Sequence, residues 1–142
     1  MSEGVAVRGV VVGHGALAEG IVDAVRQVTG VGEEALIAVS NRGLTPEALV
    51  ERLRSLVGEG PTILFVDLPG GSCAVAARRV SRERGAVALV SGVNLPLLVE
   101  FVLNRGLPLA ELVPRLVAKG CAGIASAPAD WESHADRAVS GR

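Results

Sequence analysis

The stretch that most constrains the fold is the run from Arg8 to Val12, followed at once by Gly13-His14-Gly15. Three consecutive valines favour a buried strand, because β-branched side chains are stiff and pack well on a pleated surface. From Leu17 onward, apolar residues recur at the spacing of a helix, and Gly30 supplies a stop. His14 is therefore predicted to lie where a strand ends and a helix begins. Unpaired N–H groups at such a place favour an anion.

The same alternation of a short apolar strand and a helical pattern continues along the chain. Strands are predicted at 35–39, 62–66 and 86–90, and helices at 46–57, 74–83, 95–104 and 109–119, the last of them stopped by Gly120. A further apolar piece, 122–125, is predicted as a short last strand. Apolar strands alternating with helices indicate an α/β fold, in which a doubly wound, mostly parallel four-stranded sheet has helices on both faces.

The length of 142 residues suits one domain, predicted at 1–125 and followed by a tail at 126–142 that lacks periodicity. Trp131 could pack this tail onto the body or a neighbouring subunit, and His134 is given no role. Only 2% of the residues are aromatic, so the core must consist of Val, Leu, Ile and Ala. The net charge of −1, with acids and bases interspersed, argues against nucleic acid as a partner.

Cellular location is predicted from cysteine usage and from the apolar stretches. Cys73 and Cys121 have no CxxC spacing and fit a reducing compartment. The amino terminus lacks the pattern of a signal peptide, and the most apolar stretch, 87–103, is too interrupted to span a bilayer. A cytoplasmic protein is therefore expected.

Three polar turns follow predicted strand ends: His14 with Gly15, Asp67 with 70–72, and 91–94. The carboxyl ends of parallel strands meet at one edge of a sheet, where ligands bind, so we expect these turns to converge. A carboxylate at Asp67 that accepts a hydrogen bond from one ring nitrogen of His14 would fix the tautomer and leave the other nitrogen for a phosphoryl group. The predicted phosphate-binding or supporting residues are Gly15, Gly70, Gly71, Ser72 and Asn94. Neither a metal nor a cofactor is expected.

Other interpretations of the same residues remain open. Asp67 could cap the following turn, and Ser72 could be an ordinary N-cap. The pattern Gly13-x-Gly15-x-x-Ala18 also matches a dinucleotide fingerprint, and 40–42 (Ser-Asn-Arg) could address a 2′-phosphate, as in a small NADP-binding protein. That alternative leaves Asp67 and the 70–72 turn without a task.

Three ordered motifs resemble the mannose-family EIIA domain of the bacterial phosphoenolpyruvate-dependent sugar phosphotransferase system (PTS). They are Val11-Val12-Gly13-His14-Gly15 with 17–20, Val66-Asp67-Leu68-x-Gly70-Gly71-Ser72, and the 91–98 motif SGVNLPLL. The likeness covers roughly 5–125. It implies that His14 accepts a phosphoryl group from the carrier protein HPr and passes it to a IIB-type acceptor for sugar uptake. Asp67 would be the hydrogen-bonding partner of His14, with Ser72 close by.

The resemblance also implies an assembly and a membrane connection. The family forms a homodimer in which a last short strand, here 122–125, crosses to the neighbouring subunit. Contact with the membrane would be only indirect, through a PTS permease.

The second motif departs from the family pattern at three positions. Pro69 replaces an aromatic residue, and Cys73 and Val75 stand where Pro and Asn are usual, which bears on recognition of HPr or of the next acceptor. Two related functions therefore stay open. One is a stand-alone regulatory module whose phosphorylation state controls a partner protein. The other is the phosphotransfer subunit of dihydroxyacetone kinase, which the 92–96 motif makes less favourable.

Overall fold

A computed structural model describes residues 5–128, and within them the chain alternates strands and helices as predicted. The strands pair in parallel in the order β2-β1-β3-β4, so β1 and β3 are central neighbours. This confirms the predicted α/β fold with a four-stranded parallel sheet. The elements are β1 (Arg8–Gly13), α1 (Leu17–Thr29), β2 (Leu36–Ser40), α2 (Pro46–Leu56), β3 (Thr62–Val66), α3 (Ser72–Glu83), β4 (Val87–Ser91), α4 (Leu95–Leu103) and α5 (Leu109–Ala122).

Two separate cores cover the two faces of the sheet. Alternate strand residues point to opposite faces, so Val11 and Phe65 pack with α1, α4 and α5, whereas Val12 and Val66 pack with α2 and α3. The ring of Phe65 meets that of Phe101 edge to face, with centroids 5.1 Å apart. This burial on both faces explains why the strands consist almost entirely of apolar residues.

Side chains cap the starts of α2 and α4. The Thr45 hydroxyl oxygen accepts from the Ala48 N–H at 3.1 Å, and Asn94 Oδ1 accepts from the Leu97 N–H at the same distance. Each helix also has a proline in its first two positions, where the missing N–H leaves no hydrogen bond unmade.

The predicted last strand at 122–125 is wrong for this chain. Ala122 is the last residue of α5, and 123–125 form a turn followed by irregular chain. Gly120 also fails to stop the helix, because it is buried inside the packing of α5 against α4: a Cβ there would lie 3.0 Å from Leu97 Cδ1. Crossing of this segment to a second subunit remains a prediction.

The tail lies largely beyond the described residues, and so do the expectations for Trp131 and His134. Within 5–128, every helix falls short of the length and apolar content that a bilayer crossing requires.

Candidate functional site

His14 and Asp67 meet at the edge of the sheet where the strands end. Parallel pairing aligns Val12 with Val66, so the turns after β1 and β3 lie side by side. Asp67 Oδ2 accepts two hydrogen bonds from His14, one from the main-chain N–H at 2.9 Å and one from ring Nδ1 at 2.7 Å. The other carboxylate oxygen accepts from the Leu68 N–H at 2.9 Å. The carboxylate therefore holds both the backbone and the ring of His14.

Burial and charge differ sharply between the two partners. The Asp67 side chain is only 7% exposed, whereas that of His14 is 43% exposed. Burial acts to raise the pKa of Asp67, but the hydrogen bonds from His14 and Leu68 outweigh it and lower the pKa below its ordinary value of 3.8. An ionised carboxylate can only accept, so Nδ1 carries a proton and Nε2 keeps its lone pair in the neutral ring.

Gly71 lies against the free edge of the imidazole. A Cβ added there would stand 3.6 Å from His14 Cε1 and 3.7 Å from Nε2, and its φ of +92° is one that a side chain disfavours. Gly71 is also the N-cap position of α3, and no side chain caps that helix or α1. Ser72 begins α3 and is exposed, and Gly70 before it has open space around it. Nε2 therefore lies beside the start of α3, next to a residue that has no side chain.

Gly15 and Asn94 have structural partners. The Gly15 N–H donates to Asn41 Oδ1 at 3.2 Å, and its φ of +58° turns the chain into α1. Asn94 caps α4, and its Nδ2 donates to the Gly120 carbonyl of α5 at 2.9 Å. The oxygen and the nitrogen of the Asn94 amide thus both make hydrogen bonds, one within α4 and one to α5, which join the two helices.

The glycines of the dinucleotide-like pattern, Gly13 and Gly15, also have structural roles. A Cβ on Gly13 would stand 3.3 Å from the Ala18 N atom, so glycine lets β1 pack closely on the start of α1. Together with the turn at Gly15, this accounts for the pattern without a nucleotide.

Sequence reasoning missed one neighbour of the histidine. Cys73 is fully buried, and its Sγ lies 3.8 Å from His14 Nδ1. Burial, and then the charge of Asp67, raise the pKa of the thiol, which stays protonated at neutral pH. Its position directly after the glycine-rich turn, in the first turn of α3, was the available signal.

His14, Asp67 and Cys73 are the one group of three possible metal ligands that lie close together among residues 5–128, with ligand atoms within 4.8 Å. The 2.7 Å separation of Nδ1 and Oδ2 is shorter than the roughly 3.3 Å between two ligands of a tetrahedral zinc ion. The arrangement is that of a hydrogen-bonded pair.

A family model described as "EIIA-man: PTS system fructose IIA component" matches residues 9–115. No match is found among curated proteins.

Solved structures share the fold at low sequence identity. The phosphotransferase system component EIIA from Streptococcus agalactiae has a TM-score of 0.77 and 22% identity, over 84% of this chain and 96% of that one. The mannose/sorbose specific IIA subunit from Enterococcus faecalis has a TM-score of 0.78 and 18% identity, over 87% and 96%. The PTS IIA protein associated with the fucose utilization operon of Streptococcus pneumoniae has a TM-score of 0.66 and 22% identity, over 80% and 90%. Because the family model spans well over half of its residues, this chain belongs to the EIIA-man family and is a component of a sugar phosphotransferase system.

Proposed function

We propose that this protein is a phosphohistidine relay that accepts a phosphoryl group from phospho-HPr on His14 Nε2 and passes it to a IIB-type acceptor. The observation that carries the proposal is the 2.7 Å hydrogen bond between His14 Nδ1 and Asp67 Oδ2. This bond places the proton on Nδ1 and leaves the lone pair on Nε2, in a side chain that is 43% exposed.

The chemistry is an in-line transfer between nitrogen atoms. The Nε2 lone pair forms a bond to phosphorus while the P–N bond to the donor nitrogen breaks, and the donor nitrogen keeps that electron pair. Since Nδ1 retains its own proton, the phosphorylated ring carries a positive charge. The ionised Asp67 neutralises this charge, so it stabilises the product as well as the orientation.

The phosphoryl oxygens need donors that stand in place before transfer begins. The uncapped N–H groups at the start of α3 and the Ser72 hydroxyl can supply such donors. Gly71 contributes by having no side chain beside Nε2. Catalysis of this kind is mainly positioning and charge stabilisation.

Exposed apolar side chains near the site suit docking of a carrier protein. Leu68 and Val75 are 55% and 60% exposed, and they flank the turn that touches His14. The Pro69 carbonyl accepts from Arg78 Nη2 at 3.3 Å, which steadies that turn. We expect these residues to contact HPr and then the acceptor, both in the cytoplasm, with the membrane reached only through a permease. A homodimer is expected for the relay.

The direct test is incubation with phosphoenolpyruvate, Enzyme I and HPr, followed by intact mass. We expect a gain of one phosphoryl group that mild acid removes, because a P–N bond is acid-labile. His14→Ala should gain none. The matched control is His134→Ala, which removes the other histidine of the chain and should leave the gain unchanged.

A second step tests the acceptor. Phosphorylated protein is mixed with a IIB protein of the mannose class, and the label should move to IIB. Label that stays on His14 would contradict delivery to a transporter. Label that appears on His14→Ala would contradict the relay itself.

A further inference from the structure

A guanidinium group lies beside the histidine turn on the side opposite to Asp67. Arg42 stands between β2 and α2, and its Nη2 is 3.2 Å from the position that a Cβ on Gly15 would take. Because β2 and β3 pair with opposite edges of β1, Arg42 and Asp67 approach the turn from opposite sides. Glycine at position 15 is what lets the guanidinium come this close.

The loop that carries Arg42 is fastened to the same turn. The Ser40 hydroxyl donates to the Gly15 carbonyl at 2.7 Å and accepts from the Arg42 N–H at 3.0 Å. The Asn41 N–H donates to the Gly13 carbonyl at 3.1 Å, and Asn41 Oδ1 accepts from the Gly15 N–H. The main chain of Arg42 is therefore held in register with His14, while its side chain is left free to move.

The positive charge of Arg42 has no counter-ion in the described part of the chain. Between residues 5 and 128, Arg54 pairs with Glu51 and Glu83, and Arg115 pairs with Glu100. Within the same residues no carboxylate lies within ion-pair distance of Arg42, and its guanidinium makes no hydrogen bond. An exposed cation beside a phosphoryl acceptor is thus available to an anion.

We propose that Arg42 binds the phosphoryl oxygens on His14, an inference that rests on the relay function proposed above. A phosphoryl group brings close to two negative charges at neutral pH. Asp67 balances only the charge of the ring, and it lies on the other side. The planar guanidinium can donate two parallel hydrogen bonds to phosphoryl oxygens, and it stabilises the charge that spreads over them during transfer.

A small phosphoryl donor separates this role from partner docking. Phosphoramidate is a suitable probe: it transfers its phosphoryl group to an imidazole nitrogen and releases ammonia, with no protein partner involved. Wild type, Arg42→Gln, Arg42→Lys and Arg52→Gln are each phosphorylated by phosphoramidate and, separately, by phospho-HPr. Arg52 is the matched control, since it is an exposed arginine of α2 whose loss changes the net charge equally.

Arg42→Gln should be phosphorylated about tenfold more slowly by both donors, because an uncharged amide replaces a charged fork. Arg42→Lys should fall between it and wild type, and Arg52→Gln should match wild type. Thermal unfolding of Arg42→Gln should match wild type, since the side chain makes no contact that holds the fold. Arg42→Lys, which keeps the charge, provides the comparison if the glutamine variant is destabilised.

The outcomes separate the two proposals. Wild-type rates with phosphoramidate for Arg42→Gln would overturn the inference, and a loss seen only with phospho-HPr would assign Arg42 to docking instead. Wild-type protein that gains no phosphoryl group from either donor would overturn the relay function and this inference together.

Discussion

The helices of this protein begin in two different ways. At the starts of α2 and α4, the side chains of Thr45 and Asn94 accept a main-chain N–H at 3.1 Å. At the starts of α1 and α3, Ala16 and Gly71 offer no such group. A capped start uses donors within the chain, whereas an uncapped start leaves them for water or a ligand.

Of the helices between residues 5 and 128, three start without a side-chain cap, and two of these starts, those of α1 and α3, flank His14, whereas α5 begins after Pro108. Helix α1 follows His14 along the chain, and α3 begins at the glycine that touches its ring. This edge of the sheet therefore has a first part, the starts of α1 and α3, that is available for binding, and a second part, the starts of α2 and α4, that only holds helices in place. Variants in the first part should change the rate of phosphorylation more than stability, and variants in the second part should do the reverse.

The largest effect is expected from Asp67→Asn. An amide can donate to Nδ1 and so favours the tautomer with the proton on Nε2, which removes the attacking lone pair. Phosphorylation by phospho-HPr should slow by about 10²- to 10³-fold. The measurement is the initial rate, with Glu47→Gln as the control, since it removes one exposed acid from the first turn of α2. Equal rates for the Asp67 variant and wild type would contradict the claim that this part of the sheet edge controls the rate of phosphorylation.

Gly71→Ala should have the next largest effect. The new Cβ would stand 3.7 Å from Nε2, and the Gly71 backbone, with φ +92° and ψ −179°, lies in a region nearly restricted to glycine that costs a side chain about 1–3 kcal/mol. We expect a rate about tenfold lower, from crowding at the attacking nitrogen. Gly30→Ala is the matched control, because Gly30 has a φ of +75° with no atom within 4 Å of the added Cβ. Gly30→Ala should lose about 1–2 kcal/mol of stability at an unchanged rate, and a rate loss as large as that of Gly71→Ala would assign the effect to strain.

Asn94→Ala tests a helix start that is capped by a side chain. Losing the α4 cap and the bond to the Gly120 carbonyl should lower the free energy of unfolding by about 1–2 kcal/mol. The phosphorylation rate of the folded protein should stay within about twofold of wild type, since neither bond reaches His14. Chemical denaturation and initial rates measure the two quantities. A slower rate at unchanged stability would return Asn94 to the phosphate site predicted from the sequence.

The smallest effect is a difference between the two thiols. Burial and Asp67 raise the pKa of Cys73 above 9.0, while Cys121 is exposed. With iodoacetamide at neutral pH, Cys121 should be modified first and Cys73 at least about tenfold more slowly. Modification of Cys73 should speed up as the pH rises toward its pKa, because only the thiolate reacts. Peptide mass mapping follows both sites, and earlier modification of Cys73 would show that the turn at Gly71 opens readily.

The sequence was sufficient for the parts of the fold that follow from periodicity. Apolar runs and caps located the strands and helices, and the rule that parallel strands end at one edge brought His14 and Asp67 together. It was not sufficient for 122–125, because a short apolar run at a helix end has no period that distinguishes it from a strand. Gly120 was misjudged for a related reason: glycine allows close helix packing as well as a stop.

The remaining features of the site depend on side-chain placement across the sheet. The local pattern places Cys73 just after the glycine-rich turn, but it does not give the 3.8 Å approach of Sγ to the ring or the position of Arg42 over Gly15. Both contacts arise from the strand order β2-β1-β3 and from how each loop is fastened to the histidine turn. Loop geometry of this kind is set by tertiary packing.

The central claim is that Asp67 holds the proton on Nδ1 and so leaves Nε2 to receive the phosphoryl group. Long-range proton–nitrogen NMR of the labelled protein at neutral pH tests it directly, before and after phosphorylation. We predict an Nδ1-protonated ring in the unmodified protein and a phosphorus bond at Nε2 in the product. An Nε2-protonated ring, or phosphorus bound to Nδ1, would contradict the account.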